Sequence, residues 1–148
     1  MMNAIDFLIQ EHNQVRDTLT QISKASHPNE TREELFQSLC HNLIRHEAME
    51  HAIWYPCFKN NAQLDPAVRH LLSEEKHAEK AIERLQHIQQ PDEWEKKFFQ
   101  LKEDVEKHAQ EEEQQFFPEV KKLLSNDELE QIGLDMFHFK QDYEGSLN

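Results

Sequence analysis

Residues 46–56 read HEAMEHAIWYP and residues 108–118 read HAQEEEQQFFP, so one chemical pattern occurs twice. Each copy sets a histidine four residues before a glutamate: His46 with Glu50, and His108 with Glu112. Each then runs through an aromatic pair to a proline, Trp54-Tyr55-Pro56 and Phe116-Phe117-Pro118. On a helix, positions i and i+4 share a face and lie about 6 Å apart along the axis. A His/Glu pair so placed can grip a cation, and two such pairs can close round a metal centre from opposite sides. His12 precedes the first copy and His77 the second, each in a helical pattern.

Long helices must position these side chains. The 148 residues contain only two glycines and five prolines, with 30% charged residues, the composition of helices joined by short turns. The length suits a single domain spanning 1–148. Thr31-Arg32-Glu33-Glu34 and Ser125-Asn126-Asp127-Glu128 read as capping boxes. Asn3 with Asp6, Asp65-Pro66, and Pro91-Asp92 with Glu95 give further start signals. These divide the chain into helices near 3–24, 31–59, 65–89 and 92–124, with a short C-terminal helix near 126–142. Short connections make neighbouring helices antiparallel. The expected fold is therefore all-α, an up-down-up-down four-helix bundle with a short C-terminal helix.

Apolar spacing places the polar candidates on the inward seam. Ile5, Leu8, His12, Val15 and Leu19 form one stripe; Leu39, Leu43, His46, Glu50 and Trp54 form a second; Leu101, Val105, His108, Glu112 and Phe116 form another. In the third helix, His77 shares a face with Ala81, Leu85 and Ile88, although Ser73 and Glu74 stand a turn earlier. A lone inward histidine is ordinarily a hydrogen-bonded core residue, and a single His/Glu pair is ordinarily an ion pair. The whole set changes that reading, because mutual hydrogen bonds cannot satisfy four imidazoles and two neighbouring carboxylates. Imidazole with carboxylate and no thiolate suits iron, manganese or zinc, and the donor number exceeds what one tetrahedral ion needs.

The remaining candidates read as inert. Trp54 and Phe116 wall the site, and Pro56 and Pro118 mark helix ends or kinks. His27, His41, His51, His70, His87 and His138 read as solvated, with His70 ambiguous, as do most of the Glu74-Glu75 and Glu111–Glu113 runs. Cys40 and Cys57 lie seventeen residues apart on one helix, about 25 Å, and read as buried thiols that cannot bridge. A net charge of −13 argues against nucleic acid and anionic membranes. No apolar run is long enough to cross a bilayer, and no signal-peptide pattern opens the chain, so a cytoplasmic location is expected.

The segments QEHNQVR around His12, RHEAMEHAIWYP around His46 and KHAQEEEQQFFPE around His108 resemble the hemerythrin-like (HHE cation-binding) domain family. The resemblance implies two iron ions bridged by carboxylates and an oxo or hydroxo group. It implies the ligands His12, His46, Glu50, His77, His108 and Glu112, with Glu47 or Glu74 as possible additions. The family's oxygen carriers have two histidines a turn apart on the third helix, where this chain has Ser73 and Ala81 flanking His77. That departure weighs against reversible oxygen carriage. The expected task is binding or sensing O2, reactive oxygen or nitrogen species, or iron, with a diatomic or peroxide ligand and any signal passed to a protein partner. The alternative is a di-iron oxidoreductase that reduces peroxide or oxidises Fe(II).

Overall fold

The computed structural model describes residues 2–24 and 29–146, and every regular element among them is helical. Helix α1 (Ala4–Ser23) starts where the Asn3 side chain accepts the Asp6 N–H at 2.9 Å. Helix α2 (Asn29–Met49) begins before Thr31, which therefore lies inside its first turn instead of capping it. Helix α3 (Asp65–Leu85) starts with Leu64 at its cap, where the Asn61 side chain accepts the Leu64 N–H; Asp65 instead pairs with Arg69. It ends at Leu85, short of the expected 89. Helix α4 (Pro91–Glu111) is capped by Gln90, which accepts the Glu93 N–H at 2.6 Å. Helices α5 (Phe117–Leu123) and α6 (Asn126–Ser146) follow. At the head of α6, Ser125 and Glu128 exchange both bonds of the expected capping box at 3.1 Å. His27 and Pro28 lie outside the described residues.

The duplicated string produces duplicated backbone geometry. After α2 the chain widens into a π turn over Glu50–Trp54, where the Tyr55 N–H bonds the Glu50 carbonyl, and then tightens into a 3-10 turn over Tyr55–Phe58. After α4 the same widening occurs over Glu112–Phe116, with the Phe117 N–H on the Glu112 carbonyl. Pro56 and Pro118 have no N–H to give and crowd the carbonyl one turn back, and the wider turn relieves both problems. The phase shift buries Tyr55 and Phe58 and turns Cys57 outward. Cys40 is buried as expected, whereas Cys57 is exposed; both thiols are free.

Helix α1 packs on α2, α4 and α6, and α3 packs on α4, which completes the four-helix bundle. The C-terminal helix is not short. It runs 21 residues and lies across α1 and α2. Its Gly133 meets the start of α1 so closely that an added Cβ would sit 2.6 Å from the Met2 carbonyl oxygen. The core divides into two apolar clusters. One gathers Leu8, Trp54, Phe58, Leu71, Phe116 and Phe117 with α6; the other gathers Val15, Leu19, Leu39, Leu43, Ile82, Leu85, Phe98 and Leu101. On each of the four helices a polar layer lies between them: His12, His46 with Glu50, Glu75, and His108 with Glu112.

Candidate metal centre

Glu50 and Glu112 are fully buried, at 0% exposure, and three imidazoles present Nε2 to them. His46 Nε2 lies 3.0 Å from Glu50 Oε1, and His108 Nε2 lies 2.9 Å from Glu112 Oε1. His12 Nε2 approaches that same Glu112 oxygen at 3.6 Å. The contacts are close, yet none is aligned as a hydrogen bond. Of nine buried side-chain atoms without a hydrogen-bond partner among the described residues, seven are these Nε2 atoms and the four carboxylate oxygens. Leaving seven such atoms unsatisfied would cost on the order of 10 kcal/mol, comparable to the whole stability of a domain. Protons or cations must compensate. Two ligand triads overlap there: His12, His46 and Glu112, and Glu50, His108 and Glu112, with the ligand atoms of each within 4.8 Å of one another. Glu112 belongs to both.

The opposite nitrogen of each ring is held by a carboxylate. His12 Nδ1 donates to Glu113 Oε2 at 2.8 Å, His46 Nδ1 to Glu11 Oε1 at 3.4 Å, and His108 Nδ1 to Glu74 Oε1 at 3.0 Å. Because an ionised carboxylate only accepts, this fixes the tautomer that turns the Nε2 lone pair inward. The outer carboxylates are themselves anchored. Arg16 grips both oxygens of Glu113 at 2.9 and 3.0 Å, and Lys140 of α6 holds Glu11 at 2.9 Å.

The third helix differs from the sequence expectation. His77 is 66% exposed and faces Asp104 at 3.6 Å, on the outer surface. The buried stripe of α3 is Leu71, Glu75, Ile82 and Leu85, two residues out of phase with Ser73 and His77, while Ala81 packs partly buried against the core. Glu75, only 4% exposed, supplies the inward polar group. Its Oε2 accepts the Tyr55 hydroxyl at 2.6 Å and lies 3.5 Å from His108 Nε2, and its Oε1 lies 3.2 Å from His51 Nε2. Glu75 sits in sequence as one of a pair of glutamates that looks solvated, but the spacing Leu71-x3-Glu75-x6-Ile82 carries the signal for burial. Spacing does not single out Glu11 or Glu113. Glu74 holds His108 from outside, and Glu47 is buried beside Glu79 without joining either triad.

Charge is the dominant feature of the layer. Burial drives the Glu50 carboxyl well above its ordinary range, and the nearby Glu112 and Glu75 carboxylates add to it. Burial, then Glu79, Glu75 and Glu50, pushes Glu47 up to about 10. Burial alone would lower the histidines, but the Glu50 carboxylate beside His46 raises that ring well above 6.5, and Glu112 and Glu75 raise His108 to about 12. Glu11 moves the other way: burial opposes ionisation, yet His46 and Lys140 bring it down to about 2. Without a cation, protons therefore occupy the layer. Past it, Trp54, Phe58, Phe116 and Phe117 form an edge-to-face box with ring centroids 4.9–6.3 Å apart, and Phe117 stacks on His12.

The family model for the hemerythrin HHE cation-binding domain matches residues 3–125. The chain belongs to this family. No curated protein matches it in sequence. A crystal structure of a hemerythrin HHE cation-binding domain-containing protein from Mycobacterium kansasii is similar, with a TM-score of 0.85 and 28% identity. The alignment covers 99% of this chain and 90% of that one, so the likeness extends over α6, beyond the residues the family model matches. Cation binding is thus a family property, and the buried His/Glu triads are this chain's candidate ligands.

Proposed function

We propose that this HHE domain holds two iron ions in the polar layer and uses them to bind or sense a small oxidising ligand. The ligands are His12, His46, Glu50, Glu75, His108 and Glu112, with Glu112 shared between the two positions. The observation that carries this reading is the set of seven partnerless buried atoms converging from both repeats. Three imidazoles cannot surround two cations, and three carboxylates supply the remaining donors and balance the charge. When bound, a pair of irons accepts or releases electrons and offers coordination positions to a diatomic molecule or a peroxide. The chain's own residues do the rest. Glu113, Glu11 and Glu74 keep the rings aimed inward, and the aromatic box excludes water.

Glu75 in place of an imidazole favours sensing over carriage. Anionic oxygen donors stabilise the harder ferric state, so the reduced protein should be oxidised by air rather than load and unload oxygen. Peroxide reduction is the second reading, and the Tyr55–Glu75–His51 line favours it. Tyr55 is buried with its hydroxyl proton on Glu75, and His51, 53% exposed, reaches the other oxygen of the same carboxylate from solvent. A peroxide that departs as water needs protons, and this line can deliver them to the layer. The test is elemental analysis of protein expressed with ample iron, followed by anaerobic reduction and stopped-flow mixing with O2. About two irons per chain and oxygen uptake not returned under vacuum are expected. Stoichiometric zinc without iron, or vacuum-reversible uptake, would overturn the reading. Consumption of many peroxide equivalents per centre would select the oxidoreductase.

A further inference from the structure

A second group of donors lies on the outer face of α3 and α4. His70 Nε2 is 3.0 Å from Glu111 Oε2 and 3.5 Å from Glu74 Oε2, and the three ligand atoms lie within 4.8 Å of one another. One imidazole N–H can serve one acceptor, yet two carboxylates converge on it. Lys107, 3.8 Å from Glu111 Oε1, offsets part of that charge from the far side. Both carboxylates are only 19% exposed, so they are held in place, whereas His70 is 59% exposed and opens the group to water. The groove beside them is also lined by Ser73, His77 and Asp104. Glu74 joins this group to the interior: its Oε2 faces His70 while its Oε1 holds Nδ1 of His108.

We propose that His70, Glu74 and Glu111 form a surface site for a divalent transition-metal ion that feeds the interior centre. Feeding rests on the centre proposed above; the surface site itself does not. One imidazole and two carboxylates with water completing the shell suit Fe(II), Mn(II) or Zn(II). Three protein donors on one open face bind weakly enough to release the ion again. Each cation drawn to the surface would stand one side chain, Glu74, away from a ligand of the interior layer.

The test compares the unmodified protein with His70→Ala and Glu111→Gln, neither of which is a ligand of the interior layer. Iron-loaded protein is titrated with Zn(II) by calorimetry, with iron content measured before and after. One zinc per chain should bind with iron retained, and each substitution should weaken that binding by about tenfold or more. Metal-free protein is then mixed anaerobically with Fe(II), and iron uptake is followed by rapid desalting and elemental analysis. Both variants should fill about tenfold more slowly to the same final content. Zinc binding unchanged in both variants, or no zinc bound by the iron-loaded unmodified protein, overturns the site. Loading at the unmodified rate in both variants overturns the feeding role. If no protein takes up iron, the interior reading fails and zinc titration of the iron-free protein decides the surface site: one equivalent lost on substitution keeps it, and unchanged binding overturns it.

Discussion

Glu75→Gln should weaken metal binding far more than it weakens the metal-free fold, and this difference distinguishes a ligand from a packing residue. Gln has nearly the shape of Glu, and its amide oxygen can still accept the Tyr55 hydroxyl that now lies 2.6 Å from Glu75. What disappears is an anionic donor beside His108 Nε2. Changing the outer partners of metal ligands ordinarily costs 10–100-fold in affinity, so removing a donor itself should cost about 100-fold, or about 3 kcal/mol. In the metal-free protein the same change removes a carboxylate that crowds Glu50 but also the acceptor that protonated His108 draws on, so the two effects oppose and the fold loses little. The assay is thermal melting with and without Fe(II) or Zn(II). The metal-induced rise in Tm should shrink by the equivalent of about 3 kcal/mol, while the metal-free Tm changes much less. His77→Ala, on the exposed face, should change neither. Metal affinity lost in His77→Ala and kept in Glu75→Gln would refute the assigned face of α3.

Glu113→Ala should lower metal affinity by about 10–100-fold by freeing His12, even though the residue does not reach the layer itself; an isotherm equal to that of Glu103→Ala would contradict this. Gly133→Ala should destabilise the protein by about 2 kcal/mol, because the new methyl group meets the Met2 carbonyl; an unchanged urea midpoint would show that α6 can shift without cost. The metal-free protein should be most stable near pH 4.5. Below that pH, Glu11 loses its advantage as it is protonated towards about 2. Above it, the unfolded chain releases protons that folded Glu47 keeps to about 10 and, past pH 6.5, that folded His108 keeps to about 12, so stability falls as pH rises. Bound metal takes the place of the His108 proton and should flatten the slope above pH 6.5, leaving the part due to Glu47; melting curves from pH 3 to 9 with and without metal check both signs. Glu75→His should restore an imidazole on α3 and lengthen reversible oxygen uptake, where Ser73→His, on an exposed position, should not.

The bundle and most of the layer were legible because helical phase is written in apolar spacing. Leu8-His12-Val15 and Leu43-His46-Glu50-Trp54 put polar groups on buried stripes, and the repeated string put the same donors on two helices. The third helix misleads because Ala81 and Leu85 stand one and two turns after His77, so an apolar spacing runs in register with the histidine as well as with Glu75. His77 and Glu75 are two residues apart, about 200° round the helix, so choosing one rejects the other. The outer carboxylates were illegible for a different reason: Glu113 and Glu11 acquire their roles from Arg16, Lys140 and the rings across helix boundaries, contacts that no local pattern encodes. The π turns lay between these extremes. Pro56 and Pro118 announced a disturbance, but spacing alone could not show that it would widen the turn immediately after each buried glutamate.

Anomalous diffraction at the iron edge from iron-loaded crystals would locate the two iron ions proposed between the repeats. Two peaks are expected in the buried layer, one against Nε2 of His12 and His46 and one against Nε2 of His108 with Glu75, both touching Glu112. A single peak, or peaks only beside His70 on the outer face, would refute the di-iron centre.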